Sequence, residues 1–489
     1  MNRGSLLLAS VVCLCPTLSC IGEEPLAIGS QRQLFVDRYL VDSLTDLRLT
    51  LCEPRDEGAV LQFDRPWEGL FSGYVTVIRD SELLRLYYRG HADESADGSP
   101  SEVTCYAESI DGIHWTKPDL GQFTVHGTSE NNVVLADAAP VTHNFSPFLD
   151  ANPEASSAER FKAVGGTAES GLIGYSSADG LRWKKLQVEP VFKDTGWVFD
   201  SQNVAFWSPS EECYVLYYRR AADRKRAIAH STSPDFRNWS EPVQMSYSDT
   251  DSTVPSCQLY TSQTHPYFRA PQIYVSTAAR FMPGRQVVTA EQAAAIGVHP
   301  KYFGDTSDAV LMTTRGGGKY DRTFLEGFLR PGLGASNWVS RTNYPALGVV
   351  QTGPAEMSLY VNQDYGQPTA HLRRYSMRLD GFASVQALHE GGTMVTKPFV
   401  FAGDRLHFNF ATSAAGGLRV EIQNADGSPI PGFTLDESIE LIGNEIDRRV
   451  TWKQGDDVGT LAGKPVRLRI EMHDADLYAL QFREAIGEE

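Results

Sequence analysis

Basic clusters, closely spaced cysteines, long apolar runs and helical periodicity are all scarce in this chain, and each shortage removes a class of function. Lysine and arginine number 44 against 61 aspartates and glutamates, a formal charge of −17, and they form no stretch interleaved with aromatics. Binding phosphate backbones takes concentrated positive surface, so nucleic acid is excluded as a partner. Dispersed acidity suits a soluble protein working outside the cell. Of seven cysteines, Cys13, Cys15 and Cys20 fall in the first twenty residues, and Cys52, Cys105, Cys213 and Cys257 are widely scattered. None has metal-ligand spacing, so no metal site is expected. The four are either buried thiols or up to two disulfides. The apolar run from Ser5 to Cys15 is too short to span a bilayer. Amphipathic helices are nearly absent; the best short candidate is Ala290 to Ile296.

The chain begins with a lone Arg3, that short apolar run, then small residues before Gly22-Glu23-Glu24, the pattern of a secretory leader over residues 1–20. Export to the periplasm or exterior is expected. Thr17-Leu18-Ser19-Cys20 resembles a lipoprotein cleavage box apart from Thr17, which leaves a lipid anchor on Cys20 as an alternative.

Internal repetition organises the rest. Ser109-Ile110-Asp111-Gly112-Ile113-His114-Trp115 returns as Ser177-Ala178-Asp179-Gly180-Leu181-Arg182-Trp183 and, more loosely, as Ser233-Pro234-Asp235-Phe236-Arg237-Asn238-Trp239. Weaker echoes begin at Thr314 and Leu379, so the five starts lie 68, 56, 81 and 65 residues apart. Before each motif come alternating, β-branched and aromatic runs such as Gly73 to Ile78 and Leu84 to Tyr88. Five small antiparallel sheets repeated radially make a propeller, an arrangement that hides strand edges. The fold expected is all-β: a five-bladed β-propeller over 28–390 followed by a β-sandwich-like module over 391–489. Inner strands are expected near 73–78, 144–149, 203–207, 270–276 and 347–352. The motif itself reads as a tight Asp-Gly hairpin with a tryptophan folded over the blade, which is packing and not chemistry.

Five segments carry a resemblance: Phe63-Asp64-Arg65-Pro66-Trp67-Glu68, His143 to Asp150, Phe199-Asp200-Ser201-Gln202-Asn203, Asp380-Gly381-Phe382 and Thr396-Lys397-Pro398. On these the chain resembles the five-bladed propeller superfamily that includes glycoside hydrolase families 32, 43 and 117 and the mannoside phosphorylases, and in particular an uncharacterised exported bacterial branch. The resemblance implies a carbohydrate substrate and carboxylates facing one end of the central channel. It implies no cofactor beyond a structural calcium. The Asn-Asp-Pro-Asn-Gly segment of the invertases is missing, so fructan hydrolysis is not implied.

Glycosidic cleavage needs two carboxylates, one to protonate the leaving oxygen and one to activate water or attack carbon. Asp200, before the third inner strand, and Glu68, before the first, are the expected catalytic pair, with Asp150 as the next candidate. Asp64, His143, Gln202, Asn203, Arg280, Arg315 and Arg341 are expected to bind substrate, since arginine's planar fork matches carboxylate, sulfate or phosphate. Tyr74, Trp207, Tyr260, Tyr267 and Tyr344 offer stacking faces for sugars. His265 reads as an isolated, hydrogen-bonded structural histidine. The function expected is an exported glycoside hydrolase; a mannoside-phosphorylase-like enzyme and a non-catalytic glycan-binding propeller are the alternatives.

Overall fold

The computed structural model describes residues 24–93, 96–248 and 254–485, so the leader lies outside the described residues. Strands make up nearly all of the regular structure. The single α-helix described, Ala290–Ala295, is the short one expected; the Thr289 side chain accepts from the Gln292 N–H at its N-cap.

Three four-stranded sheets follow in chain order. The first holds Gly73–Asp80, Leu83–Gly90, Val103–Ser109 and Val133–Leu135. The second holds Ser146–Leu149, Phe161–Thr167, Gly171–Ser177 and Lys184–Lys185. The third holds Val204–Ser208, Cys213–Ala222, Lys225–Ser233 and Val243–Gln244. In the fourth, Gln258–Thr261 and Thr264–Tyr267 both pair with the long strand Ala270–Met282, whose other edge pairs with Thr306–Thr314. In the fifth, Tyr344–Pro345 and Val350–Gln351 pair with Glu356–Gln363, which pairs with His371–Arg378. Its outer strand is Arg55–Gln62, from before the first blade, so chain start and chain end close the ring together. The first strands of blades five, one, two, three and four contact one another in turn, Tyr344–Pro345 of blade five meets the long second strand of blade four to complete the circle, and Thr76 bridges to Leu347 where blade five meets blade one. This is a five-bladed propeller.

Two expectations need correction. The fourth inner strand is 258–267, and the expected segment 270–276 is the second strand. The true inner strand is polar, with Thr261, Ser262, Gln263, Thr264 and His265, and is interrupted at Gln263, whose φ is +50°. It lines a channel, so it lacks the apolar alternation that marks its neighbour. Residues 28–51 also leave the propeller. Leu26–Gly29 runs parallel to Phe399–Phe401, Val41–Thr45 pairs with Gly392–Thr396, and Leu47–Leu51 pairs with Ala383–Ala387. The propeller strands therefore lie within 55–378. Both chain ends build one ten-stranded sheet around Ile28, Phe35, Phe408, Ile422, Trp452 and Leu468. Its long strands Arg405–Asn424 and Val466–Arg483 contain the alternating runs expected from sequence, and Val466–Arg483 buries every second residue over most of its length.

The repeated motif sits where each third strand ends. The Asp111 carboxylate accepts from the Ile113 and His114 N–H groups at 2.8 and 2.9 Å, Ser109 Oγ donates to it at 2.9 Å, and Gly112 turns at φ +75°. Asp179 and Asp235 repeat this with Ser177 and Ser233. The turn is a carboxylate-capped bend and not the two-residue hairpin expected, because Asp111 keeps negative φ and uses its side chain instead. Trp115 and Trp183 do fold back, meeting Tyr360 at 5.7 Å and Phe145 at 5.0 Å between ring centroids. The bend also joins blades. A second-strand tyrosine of one blade donates to a carbonyl of the next blade's turn: Tyr87 to Gly180 at 3.0 Å, Tyr217 to Gly317 at 2.6 Å and Tyr360 to Gly112 at 2.7 Å.

Candidate active site at the channel mouth

In each blade the inner strand starts at the same end of the channel, the second strand finishes there and the third starts there. That rule selects which residues meet. Blade one contributes Tyr74, Arg89 and Glu102, the turn before blade two gives His143, and blade three contributes Asp200, Arg219 and Arg226. Blade four adds Tyr260, and blade five adds Arg341, Tyr344 and Tyr365. Two of these are held in the left-handed region, Tyr74 at φ +51° and Arg341 at +59°, as is Asn343 beside Tyr344 at +60°. For a bulky side chain such as Tyr74 this is a strained conformation, the kind that accumulates at functional sites.

Aromatic faces and guanidiniums interleave. Arg219, Arg226 and Arg341 stand 4.9, 5.0 and 5.8 Å from the centroid of the Tyr260 ring, and Arg89 stands 4.8 Å from that of Tyr74. Tyr260 packs on Tyr344 at 5.0 Å and Tyr74 on His143 at 5.6 Å. Arg89 Nη2 donates to the Phe71 carbonyl at 2.7 Å and to Tyr365 Oη at 3.2 Å. His143 Nδ1 lies 3.0 Å from Glu102 Oε1 and 3.1 Å from Arg89 Nη1, while its buried Nε2 has no partner among the described residues. Asp200 pairs with Arg219 and keeps 41% of its side chain exposed. Around the axis below, Gln202 Nε2 donates to Thr76 Oγ1 at 2.8 Å, and Gln263 Nε2 donates to Gln202 Oε1 at 2.7 Å and to the Pro345 carbonyl at 2.8 Å.

Burial pushes the Tyr74 and Tyr344 phenols well above the usual tyrosine range, so both stay protonated donors. Burial works against charge on Asp97 and Glu102 as well. For Asp97, His143, Arg89, Arg341 and His91 outweigh it; for Glu102, the His143 hydrogen bond and Arg89 do. Both carboxyls therefore lie below the ordinary range and are ionised. Asp97, Glu102 and His143 hold ligand-type atoms within 4.8 Å of one another. Arg89, 3.7 Å from Glu102, already provides the positive charge at that spot, so the group does not suit a calcium ion.

Four of the expected site residues meet here: Asp200, His143, Gln202 and Arg341. The others do not. Glu68 is buried in blade one, where it accepts from Tyr88 Oη at 2.5 Å, Lys117 Nζ at 2.7 Å and the Arg65 N–H at 3.0 Å. Asp64 lies exposed beside the same Lys117. Asp150 follows the end of its inner strand, about 20 Å along the channel from His143 at ~3.3 Å per residue, and pairs with Lys162 and Tyr214. Asn203 donates to the Phe199 and Ser201 carbonyls and shapes the turn that presents Asp200. Arg280 is locked to Asp308 at 2.8 Å, and Arg315 joins the far end of blade four to Asp37. Of the aromatics named, Tyr74, Tyr260 and Tyr344 are at the mouth; Trp207 packs on Tyr214, and Tyr267 donates to Asp380. Sequence reasoning missed Arg89, Asp97, Glu102, Arg219, Arg226, Tyr302 and Tyr365. The signal available was positional: all but Asp97 and Tyr302 sit at second-strand ends or third-strand starts.

The chain is thus a five-bladed propeller with one residue-rich end. No family model and no curated protein matches it. Solved structures similar to it include an N-acetylgalactosamine deacetylase from F. plautii in complex with blood group B trisaccharide, at 12% identity over 68% of this chain and 96% of that one, with a TM-score of 0.45. Another is a β-1,2-mannobiose phosphorylase from Listeria innocua, at 10% identity over 68% and 97%, with a TM-score of 0.40. A third is a fructofuranosidase from Schwanniomyces occidentalis complexed with fructosylnystose, at 12% identity over 86% and 96%, with a TM-score of 0.39.

Proposed function

We propose that the protein is an exported glycoside hydrolase whose chemistry takes place at this mouth. The observation that carries the reading is the convergence, at one mouth rich in tyrosine faces, arginines and carboxylates, of side chains from four blades and from the turn that leads into blade two, the surface a sugar requires. Asp97 and Asp200 replace the pair expected from sequence. Asp97, held ionised by its cationic neighbours, suits the base or nucleophile. Asp200, paired with Arg219 and part-exposed at the mouth, is placed as the acid that reaches the leaving oxygen. His143, clamped between Glu102 and Arg89, orients the group around Asp97. Export rests on the leader sequence alone. The test is incubation of the mature protein with a broad oligosaccharide panel in phosphate-free buffer. Release of reducing sugar from one class supports the hydrolase; binding without any release overturns it in favour of a glycan-binding protein.

A further inference from the structure

Charge at the mouth does not balance locally. Arg89 is matched by Glu102 and Arg219 by Asp200. Arg226 and Arg341 have no carboxylate within 4.0 Å among the described residues. Arg226 Nη1 donates to the neutral Gln258 Oε1 at 2.7 Å, and Arg341 Nη1 reaches Tyr302 Oη at 3.4 Å. Elsewhere in the molecule arginines are paired freely, as expected in a chain with 61 acidic residues. Four guanidiniums, of Arg89, Arg219, Arg226 and Arg341, thus face three carboxylates, of Glu102, Asp200 and Asp97. Arg226 and Arg341, neither of them in an ion pair among the described residues, share one tyrosine ring with Arg219, so they repel one another unless a further anion joins them.

Further donors in the same place lack acceptors. Among the described residues the buried Tyr344 hydroxyl has no hydrogen-bond partner, and neither have Arg219 Nε, Arg219 Nη1 and Arg226 Nε. Leaving such groups unsatisfied is costly, which points to an acceptor-rich ligand. Below them a cavity of about 20 Å³ is lined by Tyr74, Arg89, Arg341, Tyr344 and Asn362 among others. That is space for a substituent and not for a ring.

We propose that this floor is an oxyanion subsite, in which Arg341 and the Tyr344 hydroxyl hold the carboxylate or sulfate of an acidic sugar, while Arg226, outside the cavity lining, adds its charge across the Tyr260 ring. The inference rests on the glycan-active reading and narrows it to acidic glycans. The same donors accept free inorganic phosphate, and the test separates the two sources. Binding of inorganic sulfate, inorganic phosphate, uronate oligosaccharides, sulfated oligosaccharides and their neutral counterparts is measured by calorimetry at constant ionic strength. The proteins compared are the unmodified chain, Arg341→Gln, Arg226→Gln, Tyr344→Phe and the charge-preserving Arg341→Lys, each first checked for an unchanged melting profile.

An acidic oligosaccharide is expected to bind at least about tenfold more tightly than its neutral counterpart. Arg341→Gln should erase that preference, Arg226→Gln should weaken it, and Arg341→Lys should keep part of it. Tight inorganic phosphate binding, with neutral glycans cleaved to sugar phosphate only in its presence, assigns the subsite to a phosphate co-substrate. Lack of preference for any of these anions, or a preference untouched in the glutamine variants, overturns the subsite. If neutral glycans are hydrolysed without anion preference, the subsite fails and the hydrolase stands. If acidic glycans bind through Arg341 but none is cleaved, the hydrolase fails and the subsite stands.

Discussion

His265 shows how a single side chain ties stability to pH. Its Nδ1 donates to the Gln263 carbonyl at 2.8 Å and its Nε2 accepts from the Val349 N–H at 3.2 Å, which requires the neutral ring. Burial pulls its pKa down to about 4 against the hydrogen bond that raises it. The unfolded chain, with an ordinary histidine pKa, takes up the proton first, so stability is lost as pH falls from about 6.5 towards 4, by up to about 3 kcal/mol. In urea denaturation followed between pH 7.5 and 4, His265→Gln should be less stable than the unmodified chain at neutral pH, with the gap closing as the buffer becomes acidic. A gap that stays constant with pH would show that the ring does not resist protonation. Asp380 acts at the same scale as a junction. Fully buried, it accepts from Arg32 at 3.2 Å, Arg269 at 3.0 Å, Tyr267 at 2.9 Å and Asn409 at 2.9 Å, joining blades four and five to the terminal sheet.

At the scale of elements, the capped bend is what makes a blade recognisable and what fixes it to its neighbour. Gly112 sits at φ +75°, and a Cβ there would lie 2.6 Å from Tyr360 Oη and 2.7 Å from Thr352 Cγ2. Gly112→Ala should therefore cost about 2–4 kcal/mol by strain and overpacking together. Gly121→Ala, at φ +64° with open space around it, should cost only the ~1 kcal/mol of the left-handed backbone. Equal melting shifts for the two would refute an inter-blade role for the bend. This element was legible in the sequence because serine, aspartate, glycine and tryptophan each do a local task at fixed spacing. The fourth inner strand was not, since residues that line a polar channel do not alternate. The arm at 26–51 was hidden for a different reason: its partners begin more than 300 residues later, and no local pattern encodes that pairing.

Across the whole molecule, ring closure decides which carboxylates share a space. Asp200 and His143 could be placed at the mouth from sequence because both precede inner strands, the position at which chain direction delivers a side chain there. Glu68 precedes an inner strand too, but four residues of turn separate it from Gly73, and Tyr88 and Lys117 hold it inside blade one. Arg89, Arg219 and Arg226 escaped because they lie at the other ends of strands, which become neighbours only once five sheets are arranged in a circle. The four cysteines that left a disulfide framework open are all free thiols, so the ring is held by packing and hydrogen bonds. No described helix is long and apolar enough to cross a membrane.

The central claim is that the acid and base are Asp200 and Asp97 at the mouth, and the most direct test is the turnover of Asp200→Asn, Asp97→Asn and Glu68→Gln on one confirmed glycan at a temperature where all three are folded. General acid or base assistance is worth on the order of 10²–10⁴-fold. The first two variants should lose at least about a hundredfold in kcat while still binding the glycan, and Glu68→Gln should lose stability with little change in kcat. A Glu68→Gln protein that is folded but inactive, beside Asp200→Asn and Asp97→Asn proteins that turn over at the unmodified rate, would contradict the assignment.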